Sequence, residues 1–129
     1  MRRYLALDVG DRRIGVAVGD EGGGIARPLR TLRRRGVDAD VKAIGELARR
    51  EEATALLIGL PLTLRGEEGP QAARVRRFAE ACRRLGLPVD LHDERFTTSQ
   101  AVIDGARDDD AGAARVLLED YLRGRQRSG

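Results

Sequence analysis

Residues 4–20 read YLALDVGDRRIGVAVGD, an apolar strand that closes on an acid, turns at glycine and returns as a second apolar strand. Side chains of an extended chain alternate between faces, so Leu5, Leu7 and Val9 share one face while Tyr4, Ala6 and Asp8 share the other. Asp8 therefore stands on a face that is otherwise apolar. A carboxylate there must be neutralised, hydrogen-bonded or bound to a cation, because burying it bare is strongly unfavourable. Gly10, two residues on, leaves room for a phosphate or another stretch of backbone to come close.

Beyond this hairpin, Glu21-Gly22-Gly23-Gly24 is a turn into a third strand, Ile25 to Leu32, which Pro28 confines to a sheet edge or a bulge. Arg27, Arg30, Arg33, Arg34 and Arg35 make the densest basic run of the chain. It reads either as a solvated edge that discourages strand pairing or as a strip that contacts phosphates. From Asp38 the apolar period becomes helical through Val41, Ile44, Leu47 and Ala48, with Asp38 or Asp40 placed to cap the helix. Ala53 to Leu60, ATALLIGL, is a continuous apolar run that suits a strand buried on both faces. A polar loop follows. Pro70 then opens a second helix whose stripe of Val75, Phe78, Ala79, Cys82 and Leu85 stops at Gly86.

The next strand, Val89 to Asp93, sends Val89 and Leu91 one way and Asp90, His92 and Glu94 the other. A short helix is expected near Thr98 or Ser99, covering Gln100 to Ile103. The last helix is expected from about Asp108 to Leu122, its face formed by Ala114, Leu117, Leu118 and Tyr121, with Asp110 at the N-terminal end of that face. Arg123, Arg125 and Arg127 then form a basic tail expected to fray. Three hairpin-linked strands followed by helix–strand alternation predict an α/β fold, a mixed sheet with helices on its faces. The 129 residues suit a single domain, 1–129.

Charge narrows the class of partner. The chain carries a net +3 and its basic residues are 23 arginines and Lys42 alone, a surface suited to a polyanion. Three per cent aromatic content and no tryptophan argue against base stacking and for contact with a nucleic acid backbone. No apolar run approaches the roughly 20 residues that span a bilayer, and Met1 leads straight into a strand, so a soluble cytoplasmic protein without membrane contact is expected. The lone Cys82, on an apolar helix face, reads as an inert core thiol.

Asp8, Asp93-Glu94 and Asp110 all fall at element ends, where α/β sheets gather function. Oxygen ligands without histidine or cysteine clusters favour Mg²⁺ or Mn²⁺, and two such ions roughly 3.5–4 Å apart would activate water and stabilise a leaving oxygen in phosphodiester hydrolysis. Each acid also has an ordinary reading: Asp110 could cap its helix, as Asp108 and Asp109 could, and Asp93 or Glu94 could pair with Arg95 or Arg12. His92, the sole histidine, reads as a strand-end hydrogen-bonding residue before a catalytic base. Thr97 and Thr98 could orient the Glu94 loop, cap the next helix or bind phosphate.

The motifs LDVGDRRIGVAVGD, IGLPLTLRGEEGPQA, LHDERFTT and DDDAGAARVLLEDYL resemble, in order and type, those of the YqgF or RuvX family of bacterial ribonuclease-H-like proteins. The resemblance implies a ribonuclease-H-like, five-stranded mixed sheet and a metal-dependent nuclease. The family is described both as maturing the 5′ end of pre-16S rRNA and as resolving Holliday junctions. By motif position Asp8, Glu94 and Asp110 match the family acids, expected as catalytic residues and ligands of two Mg²⁺ or Mn²⁺ ions. Gly59, Pro61, Gly66, Gly69 and Pro70 match a substrate-side loop, and Arg95, Thr97 and Thr98 the remainder of the DER motif. With Arg12, Arg13, Arg33, Arg34 and Arg35 the last three form the expected nucleic-acid contacts. The segment between Thr98 and Asp110 is shorter than the family's basic loop. The reading led by the resemblance is rRNA processing, with a pre-ribosomal particle as a partner. Its rivals are a junction resolvase, a non-catalytic nucleic-acid-binding module, and a sugar kinase, for which one domain is too short. A resolvase would be a two-fold homodimer, whereas strand trimming needs only a monomer.

Overall fold

The computed structural model describes residues 1–94 and 110–128, with side chains through Arg125. Arg95, Thr97, Thr98, Asp108, Asp109 and the helix expected over Gln100 to Ile103 lie outside these residues. Five strands, β1 (Arg3–Val9), β2 (Arg13–Asp20), β3 (Ala26–Arg33), β4 (Ala55–Leu60) and β5 (Val89–Asp93), form one sheet in the order β3-β2-β1-β4-β5. β1 pairs antiparallel with β2 and parallel with β4, β2 pairs antiparallel with β3, and β4 pairs parallel with β5. The mixed sheet is the one the hairpins and the helix–strand alternation predict. Pro28 sits on the edge strand, beside a register shift at Val16/Ala17, where its missing N–H removes no interior ladder bond.

Each sheet face has its own core. Leu5, Leu7, Val9, Ile14, Val16, Leu56 and Ile58 meet α1 (Val37–Arg50) and α2 (Pro70–Cys82) through Ile44, Leu47, Val75 and Phe78. Cys82 is buried in this core, and burial pushes its thiol up to about 11, which keeps it protonated and inert. On the opposite face Tyr4, Ala6, Ala17, Ala26, Ala55 and Leu57 meet α3 (Asp110–Ser128) through Ala114, Leu117, Leu118 and Leu122. Here the sheet supplies alanines and the helix supplies leucines.

Three helix boundaries differ from those the sequence predicts. The α1 helix begins at Val37 after Gly36, whose φ of 127° only glycine adopts readily, and no side chain caps it. Asp40 is instead buried inside the first turns, where it accepts bonds from the Arg35 N–H at 2.9 Å and Arg34 Nε at 3.1 Å. The α2 helix tightens into a 3₁₀ turn, Arg83–Leu85, before the left-handed Gly86. The α3 helix continues to Ser128, past the expected end at Leu122, so the basic tail is its last turns. Tyr121 and Arg125 hold those turns to the sheet. Among the described residues no helix is long and apolar enough to cross a membrane.

Candidate active site

The parallel strands β1, β4 and β5 end together, and that edge carries the acids. Asp8 is the penultimate residue of β1, and Glu94 follows β5, its backbone N–H on the Leu60 carbonyl at 3.3 Å. β4 lies between them and presents Gly59. A Cβ on Gly59 would stand 2.5 Å from Glu94 Oε2 and 3.0 Å from Leu117 Cδ2. The missing side chain is therefore the space in which the Glu94 carboxylate lies, directed back across the sheet toward Asp8. Asp110 comes from the far side: α3 starts directly over β2, where a Cβ on Gly15 would overlap the Asp110 backbone carbonyl. Gly15 is the register partner of Asp8. Two glycines thus bring Glu94 and Asp110 to Asp8.

The electrostatics agree with this proximity. Asp8 is pushed up to about 6, first by burial and then by the Asp110 charge. Glu94 is pushed up to about 7, first by burial and then by Asp8 and Asp93. Asp8 thus feels Asp110 on one side and presses on Glu94 on the other. Asp110 itself lies 3.0 Å from Arg13 Nε. Among the described residues no three His, Cys, Asp or Glu side chains form a ready-made cage for a cation. As a donor set, Asp8 and Glu94 are nonetheless hard oxygens held together against their own repulsion, which suits a divalent cation.

The basic residues sort into three groups. Arg12 and Arg13 are exposed at the β1–β2 turn beside the acids. Arg33 is exposed and faces Arg13 across the β2–β3 register, and Arg35 is exposed just beyond. Arg34 turns inward, donating to Asp40 and, at 3.0 Å, to the Gly10 carbonyl, with its guanidinium over the Phe78 ring. Gly10 serves the turn, its N–H on the Arg13 carbonyl at 2.8 Å. His92 Nε2 lies 2.8 Å from Asp120, the strand-end hydrogen bond rather than a group aimed at the acids. Gly59 was legible as a motif residue, but not as the cavity for Glu94. The small stripe Gly15-x-Ala17-x-Gly19 signalled a helix crossing β2 closely, and the sequence reading passed over it.

A family model described as "RuvX: Holliday junction resolvase" matches residues 2–124. A protein of Moorella thermoacetica named "Putative pre-16S rRNA nuclease" is 44% identical over 126 residues, 97% of this chain and 81% of that protein. Among solved structures, RuvC of T. thermophilus in complex with a Holliday junction substrate superposes with a TM-score of 0.62 at 16% identity, covering 98% of this chain and 96% of that one. The Fowlpox virus resolvase, in complex with Holliday junction DNA, superposes at 0.60 with 8% identity over 95% and 97% of the two chains. At such identities the two structures speak to the fold, which they share from end to end. The sequence matches speak to descent, and on their nearly full-length coverage this chain belongs to the RuvX family.

Proposed function

We propose that this chain is a divalent-metal-dependent nuclease that hydrolyses a phosphodiester bond of RNA at the 5′ end of pre-16S rRNA. One observation carries the reading: Asp8 and Glu94 are half-buried together at the carboxyl edge of the sheet, and their proton affinities are raised by desolvation and by neighbouring carboxylates. An arrangement that costs the fold stability is explained by a bound cation. Asp8 and Glu94 would hold that ion through hard oxygens. Asp110, now on Arg13, would complete the set once that pair opens. When bound, Mg²⁺ or Mn²⁺ supplies an activated water and charge stabilisation at the leaving oxygen. Arg12 and Arg13 face the incoming phosphate, and Arg13 exchanges Asp110 for it. The name of the Moorella relative supports an rRNA substrate.

The description of the family model favours a second reading, resolution of four-way DNA junctions, by the same residues. One experiment tests both: cleavage of labelled single-stranded RNA carrying the pre-16S 5′ region and of a four-way DNA junction, with Mg²⁺, Mn²⁺ or chelator. Metal-dependent cutting of the RNA, lost in Asp8→Asn and Glu94→Gln, is the expected result. Cutting of the junction alone would replace the rRNA reading with the resolvase reading. Cutting that persists in both variants would remove the acids from the mechanism.

A further inference from the structure

Away from the acids, the edge strand β3 and the start of α1 enclose a groove of about 400 Å³. Its walls carry Arg30 and Arg33 from β3, Arg35 from the connection and Lys42 from α1, with Asp40 and Glu46 as the lining acids. Asp40 is already neutralised by Arg34 at 3.1 Å. Among the described residues none of the four cations has an acidic partner, although many arginines elsewhere are paired, as Arg3, Arg27, Arg76 and Arg125 are. Four cations converging on one recess repel one another, and a polyanion relieves that repulsion. No aromatic side chain lines the groove, so it offers a base nothing to stack on.

We propose that this groove holds the sugar–phosphate backbone of an unpaired nucleic acid strand as it leaves the acid centre. The inference rests on the nuclease reading for what happens at Asp8, while the groove's own chemistry is simply phosphate binding. Continuity supports it. Arg13 is bound to Asp110, Arg33 is the register partner of Arg13, and Arg35 and Arg30 carry the charge on into the groove. The groove opens on the α1 face of the sheet, where Leu32 pairs with Ile14 and Arg30 with Val16, and Asp8 lies on the α3 face, so a strand leaving the acids rounds the β3 edge to enter it. The volume is that of a small-ligand pocket, the scale of a few phosphates of one strand. Backbone contact without stacking makes this hold independent of sequence.

The test is salt-dependent binding in chelator, where nothing is cut, read by fluorescence anisotropy of a labelled unpaired 12-mer, once as RNA and once as DNA. Arg30 and Lys42 belong to the groove alone and are exposed, so Arg30→Gln/Lys42→Gln leaves the fold intact. Each phosphate contact on a single strand contributes about 0.7 to the slope of log K against log salt, so the double variant should lower the slope by about 1.4. Arg30→Lys/Lys42→Arg, which keeps both charges, should retain the wild-type slope. An unchanged slope in the glutamine variant overturns the proposal, as does an equal fall with a 12-base-pair duplex. A normal fall in slope in a protein that cuts nothing in Mg²⁺ would leave the groove standing and remove the nuclease reading.

Discussion

Acids at the two ends of one sheet have opposite surroundings. Around the amino end of β1, Asp90 lies 3.0 Å from Arg2, Asp20 3.0 Å from Arg3, and Glu21 3.0 Å from Arg125. The Glu21 carboxyl is held below its ordinary value, first by the Arg2 backbone N–H and then by Arg125. Tyr121 donates to Asp90 at 2.8 Å and packs edge-on against Tyr4 and His92 at 5.4 and 5.3 Å between ring centres. At the carboxyl end Asp8 and Glu94 are pushed up instead. The amino end uses charge to hold α3 in place. The carboxyl end concentrates charge at a cost in stability, as sites built to bind do.

The sharpest way to break the comparison is Asp8→Asn. Cleavage should fall by about 10³-fold or more, since metal-binding and reacting groups act as a unit, while stability at pH 8 should rise by about 1–3 kcal/mol as a buried charge disappears. Both acids bind a proton more tightly folded than unfolded. Their contribution to stability is therefore fully present below the ordinary values of 3.8 and 4.5 and is lost as pH rises through about 6 for Asp8 and about 7 for Glu94. Urea melts in chelator should show that decline across pH 4 to 8 in the wild type and a shallower one in Asp8→Asn. Saturating Mg²⁺ should stabilise the wild type at pH 8 and leave Asp8→Asn unchanged. A variant less stable than wild type at pH 8 would make Asp8 a structural acid like Asp90.

Gly59→Ala tests whether the acid end depends on position as well as charge. The added methyl displaces the Glu94 carboxylate, whose oxygen stands 2.5 Å from the new Cβ, so every charge remains and only the placement changes. A displacement of about 1 Å costs on the order of 10²-fold in rate. Overpacking against Leu117 should also cost about 1–3 kcal/mol. A kcat within twofold of wild type would show that Glu94 reaches its position by another route.

Much of this was legible in the sequence, and the rest failed for identifiable reasons. Alternation over Tyr4 to Val9 placed Asp8 and the two cores correctly because a strand has one period and a buried face enforces it. The helical stripe of α3 placed Asp110 at its inner N-terminal end for the same reason. Contacts between residues distant in sequence were not legible. Nothing in the basic run marks Arg34 as the member that folds inward onto Asp40, because the pairing depends on how α1 docks against β3. Asp40 was read as a cap because caps are local, whereas its burial is tertiary. A basic terminal segment is expected to fray, yet Arg125 is tied to Tyr121 at 3.2 Å and to Glu21 across 104 residues.

At the amino end the expected effects are smaller and fall on stability alone. Tyr121→Phe keeps the ring contacts with Tyr4 and His92 and removes one donor to Asp90, whose charge Arg2 still balances; about 1–2 kcal/mol should be lost in a urea melt, with kcat unchanged. A fall in kcat beyond twofold would mean that α3 transmits the anchorage at Tyr121 to Asp110, three turns away, and that the two ends are not independent. Asp20→Asn sets the lower limit. Its carboxylate is about half exposed and meets Arg3 at the surface, where ion pairs are screened and contribute at most about 0.5–1 kcal/mol. Its melt should shift within that range and its cleavage rate should not move. A larger loss would show that the Arg3 pairing, which also engages the Glu51 carbonyl at 2.7 Å, locks β1 to the end of α1 as one unit. The stability of the sheet's amino end would then be cooperative rather than a sum of separate pairs.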